Sequence, residues 1–135
     1  MSKRILLTGA SSFTGCWFAK ILQERGYELV CPLPRDRNDY EELKKERLEF
    51  LPKNVEVVFN CPFGSDSFLE ILDRGFGLLA LHGSYVNDYG KKAFLFSKAL
   101  GQNLYRVEEV LARGQRNGLE GLLWTSSVFE NAIEL

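Results

Sequence analysis

Short unbroken apolar runs alternate along the chain with longer segments whose apolar residues recur every three or four positions. Ile5-Leu6-Leu7 is such a run, stopped by Thr8-Gly9, and predicts a buried parallel strand followed by a tight turn. Trp17, Phe18, Ile21 and Leu22 then share one face of a helix that stops at Gly26, a natural position for a residue just past a helix end at Arg25. Tyr27 to Leu33 predicts a second strand, ended by Pro32 and Pro34, because proline cannot donate to a central ladder. Asp39 to Leu51 predicts a short, charged, solvated helix, Val55 to Phe59 a third strand, and Ser67 to Leu72 a helical turn or two capped by Asp66 or Ser67. Gly77 to Leu81 predicts a fourth strand ending at His82-Gly83-Ser84. A long helix is predicted from about Lys92 to Arg113, with Phe96, Leu100, Leu104, Val107 and Leu111 on its stripe and Gly114 and Gly118 at its exit. Gly121 to Thr125 predicts a fifth strand, closed by Ser126-Ser127.

Strands alternating with helices imply an α/β fold: a parallel sheet with helices on both faces. Right-handed crossovers favour the doubly wound strand order 3-2-1-4-5. Such sheets bind ligands at the carboxyl ends of the strands where the order reverses, here between strands one and four. Thr8 to Gly15 and His82 to Ser84 fall at that point.

Composition narrows the function classes. The chain has 135 residues, a formal charge of −1, 45% hydrophobic and 26% charged residues, as expected of one globular domain over residues 1–135. The balanced charge argues against a nucleic-acid partner. No apolar run approaches the roughly 18 residues needed to span a bilayer, so no membrane association is expected. The apolar part of the N-terminus is too short for a signal peptide, which makes a cytoplasmic location the expectation. Cys16, Cys31 and Cys61 lack paired spacing and read as free thiols in a reducing compartment. One histidine and three scattered cysteines offer no zinc spacing, and no metal site is expected.

The candidate chemistry sits in Thr8-Gly9-Ala10-Ser11-Ser12-Phe13-Thr14-Gly15, which joins the first strand to the first helix. Small residues let the backbone approach a ligand, and the helix N-terminus offers N–H groups and a positive dipole end to a pyrophosphate. The segment resembles the Thr-Gly-x-x-Gly-Phe-x-Gly fingerprint of the extended short-chain dehydrogenase/reductases, the NAD-dependent epimerase/dehydratase family. Thr8, Gly9, Phe13 and Gly15 match, while Ser12 stands at the middle glycine. Serine there adds a Cβ near the expected pyrophosphate and a hydroxyl able to donate to it. The resemblance implies a Rossmann-like fold and a cofactor held by Gly9, Ser11, Ser12, Phe13, Thr14 and Gly15. His82-Gly83-Ser84 is similar to the family's His-Leu-Ala-Ala, which places Gly83 and Ser84 beside the cofactor and leaves His82 as a hydrogen-bonded strand-end residue. Asn103, eight positions before Leu111, is similar to the asparagine of the family's helix motif. Trp124 to Phe129 resembles the end of the family's fifth strand, where a hydroxyl helps bind the reacting oxygen; Ser127 is the matching catalytic candidate and Ser126 its reserve. A serine pair capping the next helix fits the same two residues.

The resemblance runs from residue 3 to about 131 and implies the N-terminal half of a longer pattern. The family's catalytic Tyr-x-x-x-Lys, whose tyrosine moves the proton, belongs on the helix after strand five. Tyr40 and Lys44 have that spacing but lie after strand two, at the other end of the site, and read as chance. At the end of strand two no acid stands at the position where an NAD-specific relative carries one, and Arg35 follows within two positions; a guanidinium suits a 2′-phosphate, so NADP is favoured over NAD, with solvated loop arginines as the other reading. Asn60-Cys61 replaces the family's Gly-Asp after strand three, and Cys61 reads as a small packed residue. The leading expectation is the NAD(P)-binding portion of an epimerase, dehydratase or reductase, catalytically incomplete as this chain. Its substrate would be a nucleotide sugar or another carbonyl or hydroxyl compound. The alternatives are a non-enzymatic NADP-sensing or protein-interaction module and a structural domain without nucleotide binding. Leu122, Leu123 and Trp124 on a fifth strand without an outer neighbour imply a homo-oligomer, or a chain dependent on the rest of the longer pattern.

Overall fold

The computed structural model describes residues 3–82 and 104–125. In chain order the elements are β1 (Arg4–Leu7), α1 (Phe13–Glu24), β2 (Glu28–Pro32), a 3-10 turn (Arg37–Asp39), α2 (Glu42–Phe50), β3 (Glu56–Val58), α3 (Asp66–Leu72), β4 (Leu78–Leu81), α4 (Val107–Arg116) and β5 (Gly121–Trp124). The strands form one parallel sheet in the order β3-β2-β1-β4-β5, as the alternation of elements implied. Leu6 pairs with Val30 on one side and with Leu79 on the other, so β1 lies at the centre.

A strand covered on both faces sends alternate side chains into two cores. Ile5, Leu7, Leu29, Cys31 and Ala80 join Cys16 and Ala19 of α1 in one core. Leu6, Val30 and Leu79 meet Phe68, Leu69, Ile71 and Leu72 of α3 and Val110 of α4 in the other. The three cysteines are buried free thiols, and burial pushes that of Cys31 up to about 12. No helix among the described residues is long and apolar enough to cross a membrane.

The expected elements differ from the observed ones in three informative places. α1 faces the sheet with Gly15, Cys16 and Ala19, not with its aromatic residues. Small residues bring the helix close to the sheet, and Trp17, Phe18 and Ile21 remain largely exposed. Trp17 instead leans on Phe50 of α2, with the Lys20 ammonium over both rings. α3 begins one residue early, because Ser65, not Asp66 or Ser67, accepts the Phe68 N–H as its cap. The long helix expected through residues 92–113 cannot run unbroken: Arg106 has φ 54°, left-handed, and the helix begins at Val107. It then passes Gly114, which packs on Leu119, and ends at Arg116. Residues 92–103 of that expectation lie outside the described residues.

Leu122, Leu123 and Trp124 of β5 are exposed, unlike the central strands. Phe68 is fully buried beneath the sheet and stacks edge-on with Phe63. Phe68→Ala should therefore cost about 3–5 kcal/mol, whereas Leu123→Ala should cost under about 1 kcal/mol. Urea unfolding of both variants checks the contrast.

Candidate functional site

The site begins where β1 stops. Gly9 turns the chain with φ 77°, and Ser12 starts α1 as its cap. The Ser12 hydroxyl accepts the Gly15 N–H at 3.0 Å and donates to the Gly9 carbonyl at 2.7 Å. Its backbone is extended, at φ −79°, so this position makes no demand for glycine. The hydroxyl expected to meet a phosphate is thus engaged within the turn. Gly15 has the opposite requirement: a Cβ there would stand 1.8 Å from the Gly9 carbonyl oxygen. The N-terminus of α1 is pressed onto the turn, with its dipole end at the carboxyl edge of the sheet.

An open cleft of about 860 Å³ extends from this turn over the ends of β1, β2 and β4. Its size is that of a small-molecule site. Thr8, Gly9, Ser11 and Ser12 line it beside Pro32 to Arg35 and Cys61 to Phe63. Leu81, Trp124 and Thr125 close one end, and Tyr105 with Arg106 overhang it. That overhang is fixed by a close fit. Gly64 has φ 80°, a Cβ on it would lie 2.0 Å from the Tyr105 carbonyl oxygen, and Arg106 donates to the Gly64 carbonyl and to Asp66.

Positive charge gathers at the β2 end. Arg35, Lys44 and Arg47 all line the cleft there, and Asp66, the one carboxylate of the lining among the described residues, is paired with Arg106. Partial burial, then the neighbouring Arg35 and Arg47 guanidiniums, hold the Lys44 amine below its usual range. Arg47 also donates to the Ser11 carbonyl at 3.3 Å, tying α2 to the glycine-rich turn. This link between α2 and the turn was not visible in the sequence, where Lys44 and Arg47 read as part of a solvated helix. Tyr40, four residues before Lys44, is buried; its hydroxyl accepts the Arg35 N–H at 3.3 Å, and burial raises its pKa. A phenol so held is poorly suited to be a proton-transferring base. Asn60 takes φ 54°, a conformation asparagine tolerates where glycine is otherwise preferred, and its amide donates to Asp36. Cys61 is buried, its thiol pushed up by burial against the opposing pull of the Ser67 and Ser65 hydroxyls.

A second cluster stands at the switch point between β1 and β4. The Thr8 hydroxyl donates to the His82 carbonyl and accepts the His82 N–H. The ring's Nε2 lies 2.6 Å from the Thr14 hydroxyl and its Nδ1 2.9 Å from that of Thr125. Phe18 packs edge-on against the ring.

No protein-family model matches the sequence, and no curated protein matches it. Solved structures do. The epimerase Mth375 of Methanothermobacter thermautotrophicus superposes with a TM-score of 0.69 at 19% identity, over 93% of this chain and 35% of that one. A UDP-glucose 4-epimerase of Stenotrophomonas maltophila, with bound NAD and formylated UDP-arabinopyranose, gives 0.69 at 13% identity, over 93% and 37%. A short-chain dehydrogenase/reductase superfamily protein of Agrobacterium tumefaciens with bound NAD gives 0.63 at 14%, over 92% and 32%. The chain shares the fold of these proteins. It spans about a third of their length.

Of the residues expected to hold a cofactor, Gly9, Ser11, Ser12 and Arg35 line the cleft. Gly15 shapes the turn from beneath, and Phe13 and Thr14 are exposed on the first turn of α1. Gly83, Ser84, Asn103, Ser126 and Ser127 lie outside the described residues. His82 has the strand-end, hydrogen-bonded role expected of it.

Burial lowers the His82 pKa, so the folded chain disfavours the imidazolium. The unfolded ring takes up its proton near the usual value of about 6.5. Stability should accordingly be insensitive to this group above that pH and fall as the pH drops below it. Urea midpoints measured between about pH 7.5 and about pH 5.5 should show the decline, and His82→Gln should flatten it.

Proposed function

We propose that the chain is the dinucleotide-binding portion of an epimerase-, dehydratase- or reductase-type short-chain dehydrogenase/reductase, and that it takes NADP in preference to NAD. The observation that carries this reading is the pairing, within one cleft, of a glycine-rich turn at a helix N-terminus with the Arg35, Lys44 and Arg47 cluster at the end of β2. The turn suits a pyrophosphate, because Gly9 takes the left-handed φ that turns the chain and Gly15 lets the N-terminus of α1 press onto that turn. The basic cluster suits a phosphomonoester on the adenosine ribose. Bound there, a nicotinamide supplies hydride transfer, and the fold's task is to hold and orient it. Ser127 is the residue we assign to the reacting oxygen, and Phe13, Thr14, Gly83, Ser84 and Asn103 complete the cofactor set. A nucleotide sugar is the substrate class suggested by the Stenotrophomonas epimerase, which carries both NAD and such a compound.

A second reading is an NADP-sensing or protein-interaction module. The exposed Leu122, Leu123 and Trp124 support self-association through β5 in either reading.

Calorimetry with both cofactors tests the first reading. NADP should bind more tightly than NAD, and Arg35→Ala should remove about 1–3 kcal/mol of that difference. Equal affinities, or a preference that survives Arg35→Ala, would contradict it. The 135-residue chain alone should catalyse no turnover of alcohols or sugar nucleotides with NADP; growth of reduced-nicotinamide absorbance with pure protein would show otherwise.

A further inference from the structure

Two cations flank one acid just past β2, in Pro34-Arg35-Asp36-Arg37. Which of the three meets a cofactor decides what that edge of the cleft recognises. A guanidinium pairs with a phosphomonoester, whereas a carboxylate repels it and accepts from a free ribose hydroxyl instead. Arg35 lines the cleft and Asp36 does not. Arg37 lies over the Phe59 ring and lines the separate groove beside α2.

β2 itself does not hold this arrangement, since the strand ends at Pro32 and Pro34 has no N–H to donate. Residues from two other segments hold it. The Arg35 N–H donates to the Tyr40 hydroxyl at 3.3 Å, and the Arg35 carbonyl accepts the Asn60 N–H at 2.9 Å. Both backbone polar groups of Arg35 are therefore engaged. The Asn60 side-chain amide donates to the Asp36 carboxylate at 3.2 Å, and that carboxylate has no other partner among the described residues. Asp36 stands before the 3-10 turn without capping it through its side chain. Tyr40 is buried and packs on Phe59, so the core fixes its hydroxyl. Asn60 reaches its two partners from a left-handed backbone, φ 54°, which asparagine tolerates better than most side chains do.

We propose that Tyr40 and Asn60 are positioning residues for cofactor choice: they hold the backbone of Arg35 and Asp36 so that the cation stands in the cleft and the acid is kept out of it. This rests on the reading of the cleft as a site for NADP. The device is preorganisation, because bonds already made in the free chain do not have to be made at the expense of binding. Without the Tyr40 tie Arg35 still reaches a phosphomonoester, but part of the binding free energy goes into ordering it. Without the Asn60 tie the Asp36 carboxylate is released as well, and its charge opposes the phosphate.

Calorimetry on the full chain with NADP and NAD reads the ratio of the two affinities, whereas a loss of folded protein lowers both alike. Tyr40→Phe keeps the buried ring and removes the hydroxyl. Asn60→Gly keeps the φ and the N–H donated to Arg35, and removes the amide held on Asp36. Each should lower the NADP-over-NAD ratio about three- to tenfold, the worth of one hydrogen bond. The affinity for NAD should change by less than about twofold. Asn60→Asp, which also tolerates the φ, should lower the ratio at least as far as Asn60→Gly. Adding Asp36→Ala to Asn60→Gly should restore it. A ratio unchanged in Tyr40→Phe or in both Asn60 variants overturns the role of that residue, and a preference for NADP that Arg35→Ala abolishes then leaves the cofactor reading standing. Equal weakening of both cofactors also overturns the proposal, since a merely structural role produces it. A deficit that Asp36→Ala does not repair overturns the part given to the acid. Equal affinities of the unaltered chain for NADP and NAD overturn the NADP reading and the proposal with it.

Discussion

The site depends on one close approach: the first turn of α1 against the Gly9 carbonyl, with no room for a side chain at Gly15. That contact fixes where the helix N-terminus points. Gly9 supplies the turn and Ser12 the cap, and Cys16 and Ala19 allow the helix to lie close to the sheet. Everything else in the cleft is placed relative to this junction. β2 carries Arg35 to the edge beside it, α2 reaches across it through Arg47, and β4 delivers His82 to its other flank. A bulkier contact face on α1 would lift the helix and separate these groups.

The same constraint explains how α1 distributes its residues. An amphipathic reading assigns large apolar side chains to the core, yet here small ones face the sheet and large ones face out. Part of the outer aromatic surface is shared with α2 through Trp17, Phe50 and Lys20. Phe18 has a different use, packing against the His82 ring at the switch point. The two polar ties across the turn, Arg47 to Ser11 and Thr14 to His82, come from opposite sides.

Strand order, the two-sided core and the position of the cleft were legible from sequence because they follow from period and connection length. The apolar runs at Ile5–Leu7 and Leu78–Leu81 have one structural solution, and right-handed crossovers order them. The glycine-rich turn was legible for the same reason: it lies between a strand and a helix. What could not be read was side-chain partnership across the fold. Tyr40 and Lys44 read as a chance spacing from their place after strand two, but that the Tyr40 hydroxyl sits on the Arg35 amide could not be read. Ser12 looked like a lost glycine because a fingerprint records identity and not conformation; its extended backbone makes it a cap. The break at Arg106 was invisible because the apolar stripe continues through it, while the left-handed residue is set by the fit of Tyr105 over Gly64.

The central claim is that the glycine-rich turn and the basic edge of β2 form one site for a phosphorylated dinucleotide. Backbone amide NMR of the labelled chain during titration with NADP tests it directly. The account predicts one saturable set of shifts, largest at Ser11 to Gly15 and extending to Arg35 and Arg47. Saturable shifts confined to the groove between Glu41, Glu49 and Phe59, or no shifts at the turn, would contradict it.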